Sequence, residues 1–422
     1  MRASSLTASI VLTVSLAPAC QHGAPRDQPP DGVPPSDSAP PPPDSAPPTF
    51  VHADGDRLVD GAGHPLLLRA MGLGGWLVPE GYLWGLDGAR GDRPRRIEQR
   101  ITELVGKDQA AAFWTAFRDG FIGEADIARI HELGFNAIRP ALDSRLLMPE
   151  GQDGFDEQGF ATLARLVEWC RTYGVYVVLD MHAAPGGQTG ANIDDSVNDT
   201  PDLYSDARNQ DRLVALWTEI ARRYADDPIV LGYDLLNEPI KPGFEKFNGQ
   251  LWPIYQRVGK AIRTVDTHHV LIVEGAQWAN NWSSLHEPFD DNLVYSFHKY
   301  WDATNVGSIQ GYLDHRGQWH RPVWTGEIGE NDDAWYQAAF PLLESHDIGW
   351  SFWTWKKLGS DNNPYSVKVP AGWDRIQAYV EDAGKKPSAA DAQAILDELI
   401  RNIPLAKCDY HDHAVCAVVK CQ

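Results

Sequence analysis

The chain is 422 residues long, with 58 acidic against 37 basic side chains and a formal charge of −21. That length holds one large domain or two ordinary ones, and the acidity argues against a nucleic-acid partner, because phosphate binding demands clustered Lys and Arg. The 16 tryptophans offer flat apolar faces with one donor, which suit sugar rings as well as core packing.

Residues 1–20 open with Arg2, continue as the apolar run "LTASIVLTVSLAPA" and end in small residues before Cys20. The run is too short to span a bilayer as a helix. "LAPAC" resembles a bacterial lipoprotein signal, in which Cys20 becomes the lipidated first residue. The expected location is outside the cytoplasm, secreted or lipid-anchored at a bacterial outer membrane or cell surface. No other segment reads as transmembrane. Residues 21–49, ending in "PPSDSAPPPPDSAPPT", hold almost nothing apolar and read as an extended spacer.

Composition turns globular from residue 50 to about 405, with no second linker, so one catalytic-size domain is expected there and a Cys-containing tail over 406–422. Turn signals Asp54-Gly55 and Asp60-Gly61 predict a small hairpin feeding a first buried strand at Leu66–Met71. Strand candidates follow at 137–142, 175–181, 230–236, 269–275, 293–300, 322–328 and 348–355. Helical patterns lie between most of them. "GEADIARIHELG" places Ile127, Ile130 and Leu133 on one face, and Ser388 caps "SAADAQAILDELIRNI" with Asp391 three residues on. Near-continuous apolar strands in β-then-α order predict an α/β fold, a (β/α)₈ TIM barrel. An open doubly wound sheet is the alternative, but no G-x-G-x-x-G follows the first strand.

Disulfides persist outside the cytoplasm. Cys170 falls in the helical pattern "EQGFATLARLVEWCRTYG" and reads as a buried apolar residue, whereas Cys408, Cys416 and Cys421 share the tail. A short-loop disulfide Cys408–Cys416 is expected there, ahead of a pair using Cys421. His411 and His413 between them match no recurring zinc spacing.

In a barrel, polar residues at the carboxyl ends of strands line the site. The predicted strands lead to Trp76 and Glu80, Arg139, Asp180 and His182, Asn237 and Glu238, His298 and Tyr300, Glu327, and Trp353 and Trp355. Glu238 and Glu327 come from the fourth and seventh strands, on opposite sides of the ring. Two carboxyls roughly 5 Å apart are the equipment of retaining glycosidic cleavage. One attacks the anomeric carbon, while the other donates a proton to the leaving oxygen and later takes one from water. Arg139 near Glu327 would keep that carboxylate ionised as nucleophile. Asn237 would hydrogen-bond a sugar hydroxyl, Tyr300 would hold the nucleophile, and Trp353 would offer a ring face.

At these residues the sequence resembles glycoside hydrolase family 5, of the clan of retaining (β/α)₈ glycosidases. "GYDLLNEPI" is similar to the segment of the family's acid/base, which carries onto Glu238, and "WTGEIGE" to that of its nucleophile, Glu327. "NAIRP", "LDMHAAPGG", "SFHKY" and "SFWTW" match the accompanying positions Arg139, His182, His298, Tyr300 and Trp353. "GLGGWLVPE" and "HAAPGGQTGANIDDS" resemble the exo-β-1,3-glucanase branch. That likeness implies substrate contacts from Trp76 and a Glu80 that binds terminal glucose hydroxyls. Pro79, Gly81, Ala184 and Thr189 depart from that pattern. The resemblance implies a retaining hydrolase of β-glucan or oligosaccharides that needs no cofactor or metal, and a monomer is expected. Alternatives are an endo-β-1,4-glucanase, a transglycosylase with acceptor platforms such as Trp278, Trp282 or Trp301, and a non-catalytic glycan-binding lipoprotein.

Overall fold

The computed structural model describes residues 50–86 and 88–419. The signal segment with Cys20, the spacer and Cys421 lie outside the described residues. The hairpin forms from His52–Asp54 and Arg57–Val59, turning at Gly55 with φ +60°.

Eight parallel strands then close a barrel: β1 (Arg69–Leu73), β2 (Ala137–Asp143), β3 (Tyr176–Ala183), β4 (Val230–Asp234), β5 (Val270–Glu274), β6 (Leu293–Lys299), β7 (Val323–Gly329) and β8 (Gly349–Trp353). Each strand pairs with its successor in the chain, and β8 closes on β1. The fold is therefore a (β/α)₈ barrel, with every predicted strand within a few residues of its observed place.

The barrel interior changes character along its axis. Ala137, Val178, Ile272 and Val294 join Leu68, Trp324 and Val51 in an apolar plug at the amino-terminal end. Two residues further along the same faces come Arg139, Asp180, Glu274 and Ser296. A period-2 step thus turns a hydrophobic floor into a charged upper layer. The surrounding helices bury the strands' outer faces. Helix Glu157–Tyr173 is typical: the Asp156 carboxylate accepts from Gln158 and Gly159 N–H, Gly174 ends it at φ +66°, and Phe160, Leu163, Leu166, Val167 and Cys170 face inward. Each such apolar side chain contributes roughly 2 kcal/mol by leaving water, so Leu166→Ala would cost about 2–5 kcal/mol.

The tail is part of the domain. Asp409–Tyr410 pairs with Tyr365–Val367, and helix Asp412–Val418 packs on helix Asp333–Glu344, burying Ala414, Val415, Ala417 and Val418. The Cys408–Cys416 pairing is not formed. Cys408 is a free thiol whose Sγ lies 3.6 Å from the carbonyl oxygens of Asn402, Ile403 and Pro404. Cys416 is itself disulfide-bonded. The reason is local: Cys408 is held at the end of the 3₁₀ turn Leu405–Lys407, whereas Cys416 rides on the following helix. Among the described residues no helix is long and apolar enough to cross a membrane.

Candidate active site

Strand β2 delivers Arg139 into the barrel, wholly buried. Its guanidinium donates to Glu327 Oε1 at 2.7 Å, Asp234 Oδ2 at 2.9 Å, Asn237 Oδ1 at 2.9 Å and Glu274 Oε1 at 3.0 Å, and lies 3.2 Å from Asp180 Oδ2. One planar cation with five donors organises carboxylates from β3, β4, β5 and β7.

Two histidines extend this network. His182 Nδ1 lies 2.7 Å from Asp180 Oδ2, so that nitrogen carries the proton, and Nε2 lies 3.5 Å from Glu80 Oε1. His298 Nδ1 lies 2.8 Å from Glu238 Oε1 and 3.5 Å from Glu327 Oε2, and its Nε2 lies 3.1 Å from Glu274 Oε1. Gly326 makes this approach possible, since a β-carbon there would meet His298 Nε2 at 3.0 Å and Ser296 Oγ at 2.5 Å. The Tyr300 hydroxyl donates to Glu327 Oε2 at 2.6 Å.

Glu238 and Glu327 face each other as the strand order anticipates. One oxygen of each, with an imidazole nitrogen of His298, lie within 4.8 Å of one another. That separation leaves no room for a water between carboxyl and sugar, so it fits double displacement rather than single displacement, which needs about 6.5–9.5 Å.

The surroundings drive the two carboxyls apart in acidity. Burial pushes Glu327 up, but His298, Arg139, His182 and the Tyr300 hydroxyl outweigh it and hold the group below its ordinary value. Burial raises Glu238, with neighbouring Glu327 and Glu274 adding to it against the opposing pull of His298. The two carboxyls are thus driven in opposite directions, Glu327 toward the ionised form and Glu238 toward the protonated one. Elsewhere, burial lifts Glu80 to about 7 despite His182, and lifts Asp234 well above the usual range with help from Glu274.

The cavity above these groups measures about 910 Å³ and is lined by Glu80, Tyr82, His182, Glu238, His298, Tyr300, Glu327 and Trp353, with Trp278, Trp301, Asn192 and Asn280 toward its rim. Trp353 stacks flat on His182, ring centres 5.3 Å apart, and donates its indole N–H to Tyr82 Oη at 2.6 Å. Gly74 admits that indole, as a β-carbon there would sit 2.4 Å from the ring.

Several sequence assignments change. Trp76 is no sugar platform: the chain turns at Gly75 (φ +74°), and the indole is buried with its N–H given to the Arg118 carbonyl at 2.8 Å. Trp282 packs behind the wall against Tyr295, Tyr312 and Trp319 and does not line the cavity as Trp278 and Trp301 do. Arg139 and Asn237 are completely buried and sit among the carboxylates rather than on the cavity wall. Sequence patterning passed over Glu274, Asp234 and Tyr82. The signal for Glu274 was present, as a polar residue closing an apolar strand in "HVLIVEG".

The profile described as Cellulase (glycosyl hydrolase family 5) matches residues 103–359. A β-xylosidase of Phanerodontia chrysosporium is 28% identical over 84% of this chain and 80% of that protein. Endoglucanase C of Acetivibrio thermocellus is 33% identical over 60% of this chain and 90% of its own length. A probable glucan 1,3-β-glucosidase A of Aspergillus niger is 23% identical over 73% and 85%. The family profile spans β2 to β8 and takes in both facing glutamates, and the chain belongs to glycosyl hydrolase family 5.

Proposed function

We propose that this protein is a retaining β-glucan hydrolase in which Glu327 is the nucleophile and Glu238 the acid/base. The observation that supports this most is the approach of the two carboxyls, one oxygen of each within 4.8 Å, with their acidities pushed in opposite directions. In the first step a Glu327 oxygen bonds to the anomeric carbon, the glycosidic C–O bond breaks, and the Glu238 proton passes to the leaving oxygen. In the second a water oxygen bonds to the same carbon, its proton passes to Glu238, and the glycosyl ester breaks to restore the Glu327 carboxylate. Glu80, His182 and Trp353 form the wall suited to hold the sugar, with the stacked ring of Trp353 as its platform.

The β-glucan preference draws on the endoglucanase and glucan 1,3-β-glucosidase among the relatives. Proton NMR of products from laminarin, cellulose, mannan and xylo-oligosaccharides tests both halves. The β-anomer forms first on a glucan; initial α-product refutes double displacement, and turnover restricted to mannan or xylan refutes the substrate class. We also propose that the catalytic domain works outside the cytoplasm, held by a lipid on Cys20; the signal-like "LAPAC" and the Pro/Ser-rich 21–49 stretch support this reading.

A further inference from the structure

Strand β5 ends in Glu274, a carboxylate with no solvent exposure and no place on the cavity wall. Both of its oxygens are committed. Oε2 accepts from the backbone N–H of Glu238 at 2.6 Å, and that residue holds φ +42°, a left-handed conformation rare outside glycine. Oε1 accepts from Arg139 and faces His298 Nε2 at 3.1 Å. The opposite ring nitrogen of His298 faces Glu238 Oε1. Glu274, already paired with Arg139, accepts from Nε2, and a second proton on Nδ1 lets the ring donate to Glu238 Oε1 as well; a neutral ring would instead accept the Glu238 proton at Nδ1.

We propose that Glu274 is a positioning residue for the acid/base: it holds His298 as an imidazolium bound to Glu238 Oε1, and so leaves Glu238 Oε2 to carry the catalytic proton. This deepens the proposed function and rests on Glu238 as acid/base. The same imidazolium then stabilises the Glu238 carboxylate left after proton transfer, readying it as base for the second step. Burial works against a charged ring, but Glu274, Glu327 and Glu238 outweigh it and raise His298 well above its ordinary value. Other charged or titratable groups face this chain. Arg139, Asp234 and Tyr255 face Glu274, and Glu80, Tyr300 and Glu327 face Glu238.

Glu274→Gln keeps the size and an acceptor for the Glu238 amide but removes the charge. Two effects oppose. Loss of the Glu274 charge itself lowers Glu238, whereas loss of the His298 charge raises it. The second prevails, because the imidazole touches Glu238 at 2.8 Å and Glu274 reaches that carboxyl only across the ring. The high-pH limb of kcat/KM therefore moves up by about one pH unit, a tenfold change in proton affinity. Glu274→Asp restores a carboxylate and returns the limb toward the wild type. In wild-type protein labelled with ¹⁵N-histidine, with His298 assigned by its loss in His298→Gln, both His298 ring nitrogens are protonated at pH 7. A neutral His298 ring in the wild type overturns the proposal whether or not the variants fold. So does a Glu274→Gln profile that falls evenly with its limbs unmoved. A doubly protonated His298 alongside a Glu238→Gln enzyme that loses activity equally on all leaving groups would instead indict the acid/base assignment.

Discussion

Glu238→Gln separates the chemistry from the scaffold. The substitution is nearly isosteric, the backbone N–H still reaches Glu274 Oε2, and His298 Nδ1, 2.8 Å away, still meets an acceptor oxygen. Folding should change by less than about 1 kcal/mol, since no buried group is left unpaired. What disappears is the proton. A positioned general acid contributes about 10²–10⁴ in rate, or about 3–5 kcal/mol at 1.36 kcal/mol per decade. The whole loss should fall on substrates whose leaving group is a sugar alkoxide. A dinitrophenolate departs without a proton, so kcat/KM for 2,4-dinitrophenyl β-glucoside should drop by less than about tenfold. With that substrate the second step becomes limiting, because no base activates water. Azide, which needs none, should then raise kcat and yield β-glucosyl azide. The assay is kcat/KM for the aryl glucoside beside a glucan oligosaccharide, at one pH, with the melting midpoint as folding control. Equal losses on both substrates would refute Glu238 as acid.

Asp266 accepts from Tyr233 Oη and His269 Nδ1, each at 2.7 Å, and these bonds outweigh burial to hold its carboxyl at about 2. A depressed folded value stabilises above the unfolded value near 4 and is lost as pH falls through 2, worth about 1–2 kcal/mol after solvent screening. Asp266→Asn should accordingly lower the melting midpoint at pH 7 and much less at pH 2.5; the same drop at both would show that charge plays no part. Cys20→Ser should move the protein from the membrane to the soluble fraction on ultracentrifugation, and continued membrane retention would contradict a lipid anchor.

Much of the active site was readable because a barrel turns strand ends into neighbours. Glu238 and Glu327, 89 residues apart, needed only the β-then-α order to be set facing each other. Where the sequence misled, the cause was side-chain direction. Trp76 follows a glycine turn that rotates it out of the cavity, and Trp282 opens a 3₁₀ turn and gives its own indole N–H to the Ala279 and Ser296 carbonyls, which keeps the ring in the core. The tail cysteines were judged by spacing alone, but the pairing of Asp409–Tyr410 with Tyr365–Val367 sets Cys408 apart from the helix that carries Cys416.

Periodicity and strand-end residues by themselves determined the barrel, the two glutamates, and Arg139, His182, His298, Tyr300 and Trp353 around them. Only the tertiary structure decided how protons are shared. Six buried carboxyls, those of Glu80, Asp180, Asp234, Glu238, Glu274 and Glu327, crowd around one guanidinium and two imidazoles. Which of them stays ionised depends on distances of 2.6–3.5 Å between groups from seven different segments. Burial pushes a carboxyl up, and contact with a specific cation or hydrogen-bond donor opposes it. Sequence states which charges exist, but their energies fall off with separation, and separation is a property of the closed barrel.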